Sequence, residues 1–432
     1  NLSDMINQSE AEERWDLAGI GYVLRAWGWL KLTDLHGDII VTEAFLPNQY
    51  KFPFTPQDSV FMEIFRLLNK GIEDLQRTDG NVNAAYIATG DKLFGGNTTR
   101  WLKYAYGLKA EAFNQFSNKG ALYYPDSVIA YVDKSFASSA DDALFVYQNV
   151  DAQQGNTMNF WSVERRFLCA GDEYRQTNFV VGLMNGTQYP GAVDPRMTRM
   201  LSKDSTGAYH GIDPWVTGGA NTFVPAERPW NLWGTQTGTG CPATGTLGKY
   251  LFDKSVKFPI MTYFQLQFIK AEAALRKGDQ GTARQAYLNG IAAHIDFVNA
   301  RNAEIGNPNF PQITGVEKTA FLNDPSIAPG TVTLSHIMGQ KFIAQWMWAF
   351  AETWMDQRRY HYTDMDPVSG TQVFRGFTLP PPDKYDPDNN QKPVQRIRPR
   401  YNSDYVWNRD ELLKIGGLAL DYHTVPMWIT QP

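Results

Sequence analysis

Aromatic side chains suited to ligand binding concentrate in a stretch of the chain without helical periodicity. Tyr209, Trp215, Trp230 and Trp233 lie among glycine, proline and threonine, and Asn231 lies between two of the tryptophans. Sugars present apolar C–H faces that stack on such rings, and an amide can bond their hydroxyl groups. These five residues therefore form the predicted ligand site. A second interpretation stays open, because long loops also need aromatic anchors.

Sequence templates for catalysis are absent or incomplete. The chain contains no H-E-x-x-H, no G-x-S-x-G and no G-x-G-x-x-G after a predicted strand. Residues 240–245 have the glycine spacing of a phosphate loop, but Thr246 and Leu247 replace the required lysine and serine or threonine. Among 45 acidic residues no pair of glycosidase carboxylates can be singled out. We therefore predict no catalytic residue and no cofactor.

A possible calcium loop near the C-terminus is also incomplete. Asp386, Asp388 and Asn390 occupy the first, third and fifth ligand positions of such a loop. However, Gln391 replaces the turn glycine, and Ile397 stands where a bidentate glutamate is needed. A turn stabilised by Asp and Asn side chains is the favoured interpretation, and no metal site is predicted.

Composition narrows the class of protein further. The 432 residues carry 40 basic and 45 acidic side chains, a formal net charge of -5, so nucleic acid is not an expected partner. No stretch approaches the roughly 20 apolar residues of a membrane-spanning helix. Cys169 and Cys241 are too few for a disulfide scaffold and too far apart for a C-x-x-C motif. Because the chain opens as if in mid-helix, we expect that an N-terminal segment with any targeting signal is missing.

Periodic apolar residues predict a mainly helical protein. Helices are expected at 11–35, 55–76, 97–116, 126–136, 259–277, 281–300 and 334–360. Thr55, Asn97 or Thr98, and Thr333 are the expected N-terminal caps. Residues 148–254 should form long ordered loops, and residues 363–432 an irregular tail over the helices.

The helices on either side of Gly278 and Asp279 have the spacing of an antiparallel hairpin. Within it, Ala271, Ala283 and Gly290 are the small residues, and Tyr287 the packing aromatic, of a tetratricopeptide hairpin. Small residues at such positions let neighbouring helices approach closely. The sequence therefore predicts an all-α scaffold of tetratricopeptide-like hairpins with long irregular loops.

Several segments, spread over nearly the whole chain, together resemble one known family. In sequence order they are YVLRAWGWLKLTDLHGDIIVTEAF at 22–45, DKLFGGNTTRWLKYAYGLKA at 91–110, Asp194-Pro195-Arg196, AEAALRKGDQGTARQAY at 271–287, QKFIAQWMWAFAETWMDQRRY at 340–360 and RPRYNSDYVWN at 398–408. In that order they resemble the motifs of the SusD/RagB family of surface nutrient-binding lipoproteins. Residues 204–249, which contain the aromatic stretch, match no shared motif, so the resemblance does not name the ligand.

The resemblance implies one SusD-like domain over residues 1–432, with its helical scaffold mainly in 1–140 and 255–362. It also implies a lipoprotein on the outer-membrane surface, which closes like a lid over a TonB-dependent, SusC-like transporter and captures nutrients, often glycans. No catalysis belongs to that role. The family's lipid-bearing N-terminal cysteine is absent from this sequence, so the lipid anchor is implied by the resemblance alone.

Two other classes of protein remain open from the sequence. An α-helical carbohydrate-active enzyme would release sugar from polysaccharides, and would lose that activity when one carboxylate is replaced. A tetratricopeptide-type scaffold would bind a protein or peptide and show no affinity for glycans.

Overall fold

The computed structural model describes residues 2–147, 159–163, 174–236, 241–243 and 245–432. In chain order the described α-helices are α1 (Leu2–Ala11), α2 (Trp15–His36), α3 (Gln57–Leu75), α4 (Ala84–Gly90), α5 (Thr98–Asn114), α6 (Pro125–Lys134), α7 (Asn178–Met184), α8 (Met197–Met200), α9 (Tyr263–Lys277), α10 (Gln280–Ile305), α11 (Gly315–Asn323), α12 (Leu334–Gln345), α13 (Phe350–Arg359) and α14 (Arg409–Lys414). Two short strands, β1 (Ala143–Phe145) and β2 (Phe258–Met261), pair antiparallel. The predicted all-α scaffold is confirmed. No helix in the described ranges is long and apolar enough to cross a membrane.

The chain divides into two compact units. Unit 1 comprises Asn1–Phe136, Phe350–Tyr362 and Leu379–Pro432. Unit 2 comprises Ala137–Ala349 and Thr363–Thr378. Unit 1 therefore holds helices α1 to α6, α13 and α14, and unit 2 holds both strands and helices α7 to α12.

In unit 1, α2 and α3 pack closely because two glycines face each other. A Cβ atom on Gly19 would lie 2.8 Å from Leu75 Cγ and 3.0 Å from Gly71 O. A Cβ atom on Gly71 would lie 2.9 Å from Val23 Cγ2. Any larger residue at either position would push the two helices apart.

A buried charged cluster joins three helices of unit 1. Lys31 Nζ on α2 lies 2.6 Å from Glu111 Oε1 on α5 and 2.5 Å from Glu352 Oε1 on α13. Burial alone would lower the pKa of Lys31, but the two carboxylates raise it. Beside this cluster, burial raises the pKa of Asp34 to about 7, although Gln115 Nε2 donates a 2.9 Å hydrogen bond to its carboxylate. Each buried charge of the Lys31 cluster therefore lies beside an opposite charge.

The predicted hairpin of unit 2 is confirmed as α9 and α10. Gly278 takes a left-handed φ of 89° between them, and the Asp279 side chain caps α10 by accepting a 3.0 Å hydrogen bond from Thr282 N. A Cβ on Gly290 would lie 2.9 Å from Phe268 Cζ, so the glycine lets the two helices close on this ring. Tyr287 is fully buried in the same hairpin, as expected for its packing aromatic.

The family-like Asp-Pro-Arg motif forms a buried ion pair in unit 2. Arg196 Nη2 lies 2.5 Å from Asp194 Oδ2, and both side chains are almost completely buried. The Arg196 guanidinium also donates to Gln340 Oε1 on α12, and its Nη1 lies 2.9 Å from His294 Nδ1 on α10. Burial and the positive charge of Arg196 hold the pKa of His294 well below its ordinary value, so the imidazole is neutral and accepts this hydrogen bond. The motif therefore ties two helices of unit 2 together.

Two long helices predicted from periodicity are each interrupted. The first predicted helix, 11–35, is wrong at its start, because α1 ends at Ala11 and α2 begins at Trp15. Glu13 between them has a positive φ of 53°. The last predicted helix, 334–360, is split between α12 and α13, and Met347 in the gap has a φ of 72°. Both residues lie in the left-handed region, which a right-handed helix cannot accommodate.

The predicted cap residue occupies the cap position at two of three helices, and its side chain makes the capping hydrogen bond at one. Asn97 accepts a 3.0 Å hydrogen bond from Arg100 N at the start of α5. At α3 the cap position is Pro56 rather than Thr55, and the carboxylate of Asp38 accepts a 2.9 Å bond from Gln57 N. At α12, Thr333 occupies the cap position, but its hydroxyl pairs with His336 Nδ1 instead of a backbone N–H.

Candidate functional site

The predicted site residues lie on a loop segment of unit 2 that one buried glutamine organises. Gln176 Nε2 donates to Ser202 O at 2.6 Å and to His210 O at 2.9 Å. Its Oε1 accepts a 2.9 Å bond from Ser202 N. One side chain thus fixes both ends of residues 202–210, which contain Tyr209. Side-chain hydrogen bonds to the backbone therefore order this loop, which has no helical hydrogen bonds of its own, as expected for ordered long loops.

Asp204 forms the inner hydrogen-bonding centre of this loop. Its carboxylate accepts bonds from Thr206 N at 2.8 Å and Ala208 N at 3.0 Å. Burial opposes ionisation, but these bonds and the nearby His210 hold the pKa of Asp204 below its ordinary value. The His210 imidazole lies 3.0 Å from the Asp204 carboxylate and stacks on Phe223 at 5.5 Å between centroids. Oδ1 of Asp204 is therefore committed to loop structure, whereas Oδ2 faces the His210 imidazole.

Tyr209 and Trp230 lie on neighbouring stretches of this segment. Trp230 N donates to Lys203 O at 3.4 Å, and Ser205 N donates to Ala226 O at 3.1 Å, so residues 203–210 run beside 226–230. Burial raises the pKa of Tyr209, whose side chain is half-buried. Trp215 is also half-buried and lies within a turn in which Val216 N donates to Asp213 O at 3.0 Å.

Trp230 combines a partly exposed ring with an unused donor. The side chain is half-buried, and its indole Nε1 is buried without a hydrogen-bond acceptor among the described residues. Buried polar groups are almost always paired, so an unpaired indole N–H beside an accessible ring is unusual. A ligand oxygen is one acceptor that satisfies such a donor while the sugar face stacks on the ring.

Asn231 and Trp233 are buried anchors in the same segment. Asn231 Oδ1 accepts a 2.9 Å bond from Thr235 N and closes a tight turn, in which Gly234 N donates to Asn231 O. Trp233 is only 6% exposed, and its Nε1 donates to Trp161 O at 2.7 Å. These contacts assign both residues to holding the segment, which is the second of the two interpretations left open by the sequence.

The structure describes the calcium-loop positions in full, and the phosphate-loop and cysteine positions only in part. Asp386 Oδ1 accepts a 2.9 Å bond from Asp388 N, which is the turn that the sequence favoured over a calcium loop. Within the described ranges, His, Cys, Asp and Glu side chains form no cluster of three that could hold a metal ion. The phosphate-loop spacing at 240–245 lies partly outside the described residues. Cys241 takes part in a disulfide, whereas Cys169 also lies outside them.

The sequence did not predict Lys249, which connects two stretches of this segment through hydrogen bonds. Lys249 is 3% exposed, and its Nζ donates to Leu201 O and, at 2.9 Å, to Ser202 Oγ. The Ser202 hydroxyl in turn donates to Leu232 O at 3.4 Å, next to Trp233. A single lysine 47 residues from Ser202 carries no recognisable motif, so no sequence signal could have identified it.

The protein thus consists of helical hairpins and carries a loop segment rich in aromatic residues on unit 2. The chain belongs to the SusD-like family described as starch-binding and associating with the outer membrane, whose profile matches residues 1–376. Comparison with curated proteins finds no similar sequence.

Similar solved structures share the fold, and two of the three that follow are named as SusD proteins. A SusD/RagB family protein from Bacteroides thetaiotaomicron is 22% identical, with a TM-score of 0.67 over 99% of this chain and 84% of that chain. A chitin-binding protein is 18% identical, with a TM-score of 0.73 over 100% and 85% of the two chains. A chitin-binding SusD homolog from Flavobacterium johnsoniae is 18% identical, with a TM-score of 0.67 over 99% and 83%.

Proposed function

We propose that this chain is a non-enzymatic cell-surface lipoprotein that binds a glycan and passes it to a TonB-dependent, SusC-like transporter in the outer membrane. The observation that carries the proposal is the family match over residues 1–376, because that family is described as starch-binding and associating with the outer membrane. Two structurally similar proteins are named as chitin-binding. A lipid on a preceding N-terminal segment is the proposed membrane anchor.

Tyr209, Trp215 and Trp230 are the proposed sugar-contacting residues. All three are half-buried in the loop segment, and Trp230 adds a buried indole N–H without an acceptor among the described residues. Asn231 and Trp233 belong to the proposed site as supports, because their polar groups bond to Thr235 and Trp161. Aromatic rings fixed by a rigid turn lose little conformational entropy when a sugar stacks on them.

One further observation supports this proposal. Cys241 takes part in a disulfide, and disulfides persist in oxidising compartments outside the cytoplasm.

The test is calorimetric titration with maltoheptaose and N-acetylchitohexaose, chosen because starch and chitin are the ligands named for the family and for similar structures. We expect binding of at least one of the two without release of shorter sugars. Trp407→Ala provides a matched control for Trp230→Ala in the proposed site, because Trp407 is 63% exposed and lies in unit 1. Release of shorter sugars would instead support an enzyme, and binding of peptides without glycan affinity would support a peptide-binding scaffold.

The partner is tested separately from the ligand. Purified protein immobilised on a resin should retain a TonB-dependent transporter from detergent-solubilised outer membranes of the source cells. Failure to retain such a transporter, in the presence and absence of bound glycan, would remove the uptake step and leave a glycan-binding protein.

A further inference from the structure

Lys249 is buried in unit 2 with two hydrogen-bond acceptors and no counter-charge within the described residues. Its Nζ donates to Leu201 O and to Ser202 Oγ, and the Phe310 ring lies 5.4 Å away. No described carboxylate lies within 4.0 Å of this nitrogen. A buried ammonium is normally paired, so this arrangement is unusual for a lysine.

The number of acceptors matches the neutral amine. An uncharged amine has two N–H donors, and the two acceptors are Leu201 O and Ser202 Oγ. An ammonium has three donors, so protonation would bury a charge and a third N–H, for which the described structure offers only the Phe310 ring, 5.4 Å from Nζ. Consistent with this geometry, burial lowers the pKa of Lys249 to about 7.

Ionisable groups on the segments that hydrogen-bond to Leu201, Ser202 or Tyr250, or that flank them in the chain, are held by different partners or by solvent. They are Arg199, Lys203, Asp204, His210, Asp253 and Arg301. Asp253 accepts bonds from Gly248 N and Ser255, and Arg301 pairs with Glu304. Arg199 bonds Pro311 O and Glu317, and Lys203 is exposed. Asp204 and His210 face each other at 3.0 Å.

The hydrogen bonds of Lys249 lead directly to the aromatic segment. Ser202 accepts from Lys249 and donates to Leu232 O, one residue before Trp233. Gln176 binds the backbone of the same serine and His210 O, next to Tyr209. Moving Ser202 would therefore disturb the supports of both Trp233 and Tyr209.

We propose that Lys249 is a positioning residue for the ligand site, and that the uncharged form of its amine holds the aromatic segment in its binding arrangement. Protonation places a charge without a described counter-charge in this buried position, so the ammonium moves towards solvent or another acceptor and changes its bond to Ser202 Oγ. This inference rests on the proposed glycan-binding function for its effect on affinity, but the coupling between Lys249 and Trp233 is independent of any ligand.

The coupling is tested first without ligand. Protein labelled with 5-fluorotryptophan should show a ¹⁹F resonance of Trp233, assigned with Trp233→Phe, that shifts with a midpoint near pH 7. In Lys249→Met this titration should disappear, whereas Lys203→Met, which removes an exposed lysine from the neighbouring stretch, should keep it. His210 remains in all three proteins, so a pH response that survives in Lys249→Met belongs to other groups.

A second variant keeps the test decisive if Lys249→Met fails to fold. Ser202→Ala keeps the lysine but removes the link to Leu232 O, so the Trp233 resonance should no longer follow the lysine titration. The proposal is overturned if the wild-type resonance does not titrate between pH 5.5 and 9. An unchanged titration in a folded Lys249→Met or Ser202→Ala protein overturns it equally.

Ligand affinity is the second readout. If only the uncharged form binds, the competent fraction falls about tenfold between pH 8 and pH 6, and the dissociation constant for maltoheptaose or N-acetylchitohexaose rises by the same factor. Lys249→Met should remove this pH dependence. Failure of both glycans to bind at any pH contradicts the proposed function and leaves the ¹⁹F result to decide the coupling. Equal pH dependence in wild type and Lys249→Met contradicts the role of Lys249.

Discussion

The buried Lys249 makes the stability of the protein depend on pH in a defined direction. Burial lowers its pKa from 10.5 to about 7 in the folded chain. Between these two values the unfolded chain binds the proton more strongly, so the free energy of unfolding rises with pH. The stability cost is therefore largest below pH 7 and is relieved towards pH 10.5.

The size of this effect follows from the same two pKa values. A single group in this window changes the free energy of unfolding by up to about 1.4 kcal/mol per pH unit. Because the lysine is still half-protonated in the folded chain at pH 7, the gain between pH 7 and pH 9 is about 2 kcal/mol. Methionine has a similar length and no charge, so Lys249→Met should lose this gain.

Urea unfolding followed by tryptophan fluorescence at pH 7, 8 and 9 measures the difference. Between pH 7 and pH 9 the free energy of unfolding of the wild type should rise by about 2 kcal/mol more than that of Lys249→Met, which moves its urea midpoint to higher concentration. Lys203→Met should follow the wild type. Apart from the replaced lysine, the ionisable groups are the same in all three proteins, so their contributions cancel in the comparison. Parallel pH dependence of wild type and Lys249→Met would refute the assignment of a buried, uncharged lysine.

Three further predictions concern stability. Trp233→Ala should lower the free energy of unfolding by about 3–5 kcal/mol, because it empties a buried site, and thermal unfolding without a lower midpoint would contradict this role. Arg196→Met should cost about 3–5 kcal/mol by leaving the Asp194 carboxylate buried and unpaired, and chemical denaturation showing less than 1 kcal/mol would argue against the ion pair. Asp38→Ala should cost about 1 kcal/mol by removing the hydrogen bond at the start of α3, whereas Thr55→Ala, the cap expected from sequence, should be close to neutral in the same assay.

The helical scaffold could be predicted from the sequence because its signals are local. The cap at Asn97 depends on a neighbour three residues away, and the small residues of the α9–α10 hairpin follow a helical spacing that is visible along each helix. The structure confirms both. The breaks at Glu13 and Met347 could not be predicted in the same way. Neither residue type favours a positive φ, so only the surrounding structure fixes these conformations.

The candidate site could be predicted only in part. The aromatic stretch was visible because its residues lack helical periodicity. The sequence could not show which of these residues are buried supports and which are accessible. Trp233 is a support because its Nε1 donates to Trp161 O, 72 residues away along the chain. The roles of Gln176 and Lys249 likewise depend on hydrogen bonds between distant segments, and neither residue has a local pattern that distinguishes it from a surface side chain.

The central claim is that the chain binds glycan through its aromatic loop segment without cleaving it. The direct measurement is calorimetric titration of wild type, Trp230→Ala and Trp407→Ala with maltoheptaose and N-acetylchitohexaose. We predict binding by the wild type and by Trp407→Ala, and at least tenfold weaker binding by Trp230→Ala, equivalent to about 1.4 kcal/mol. Equal affinity of all three proteins, or cleavage of the sugar during the titration, would contradict the account.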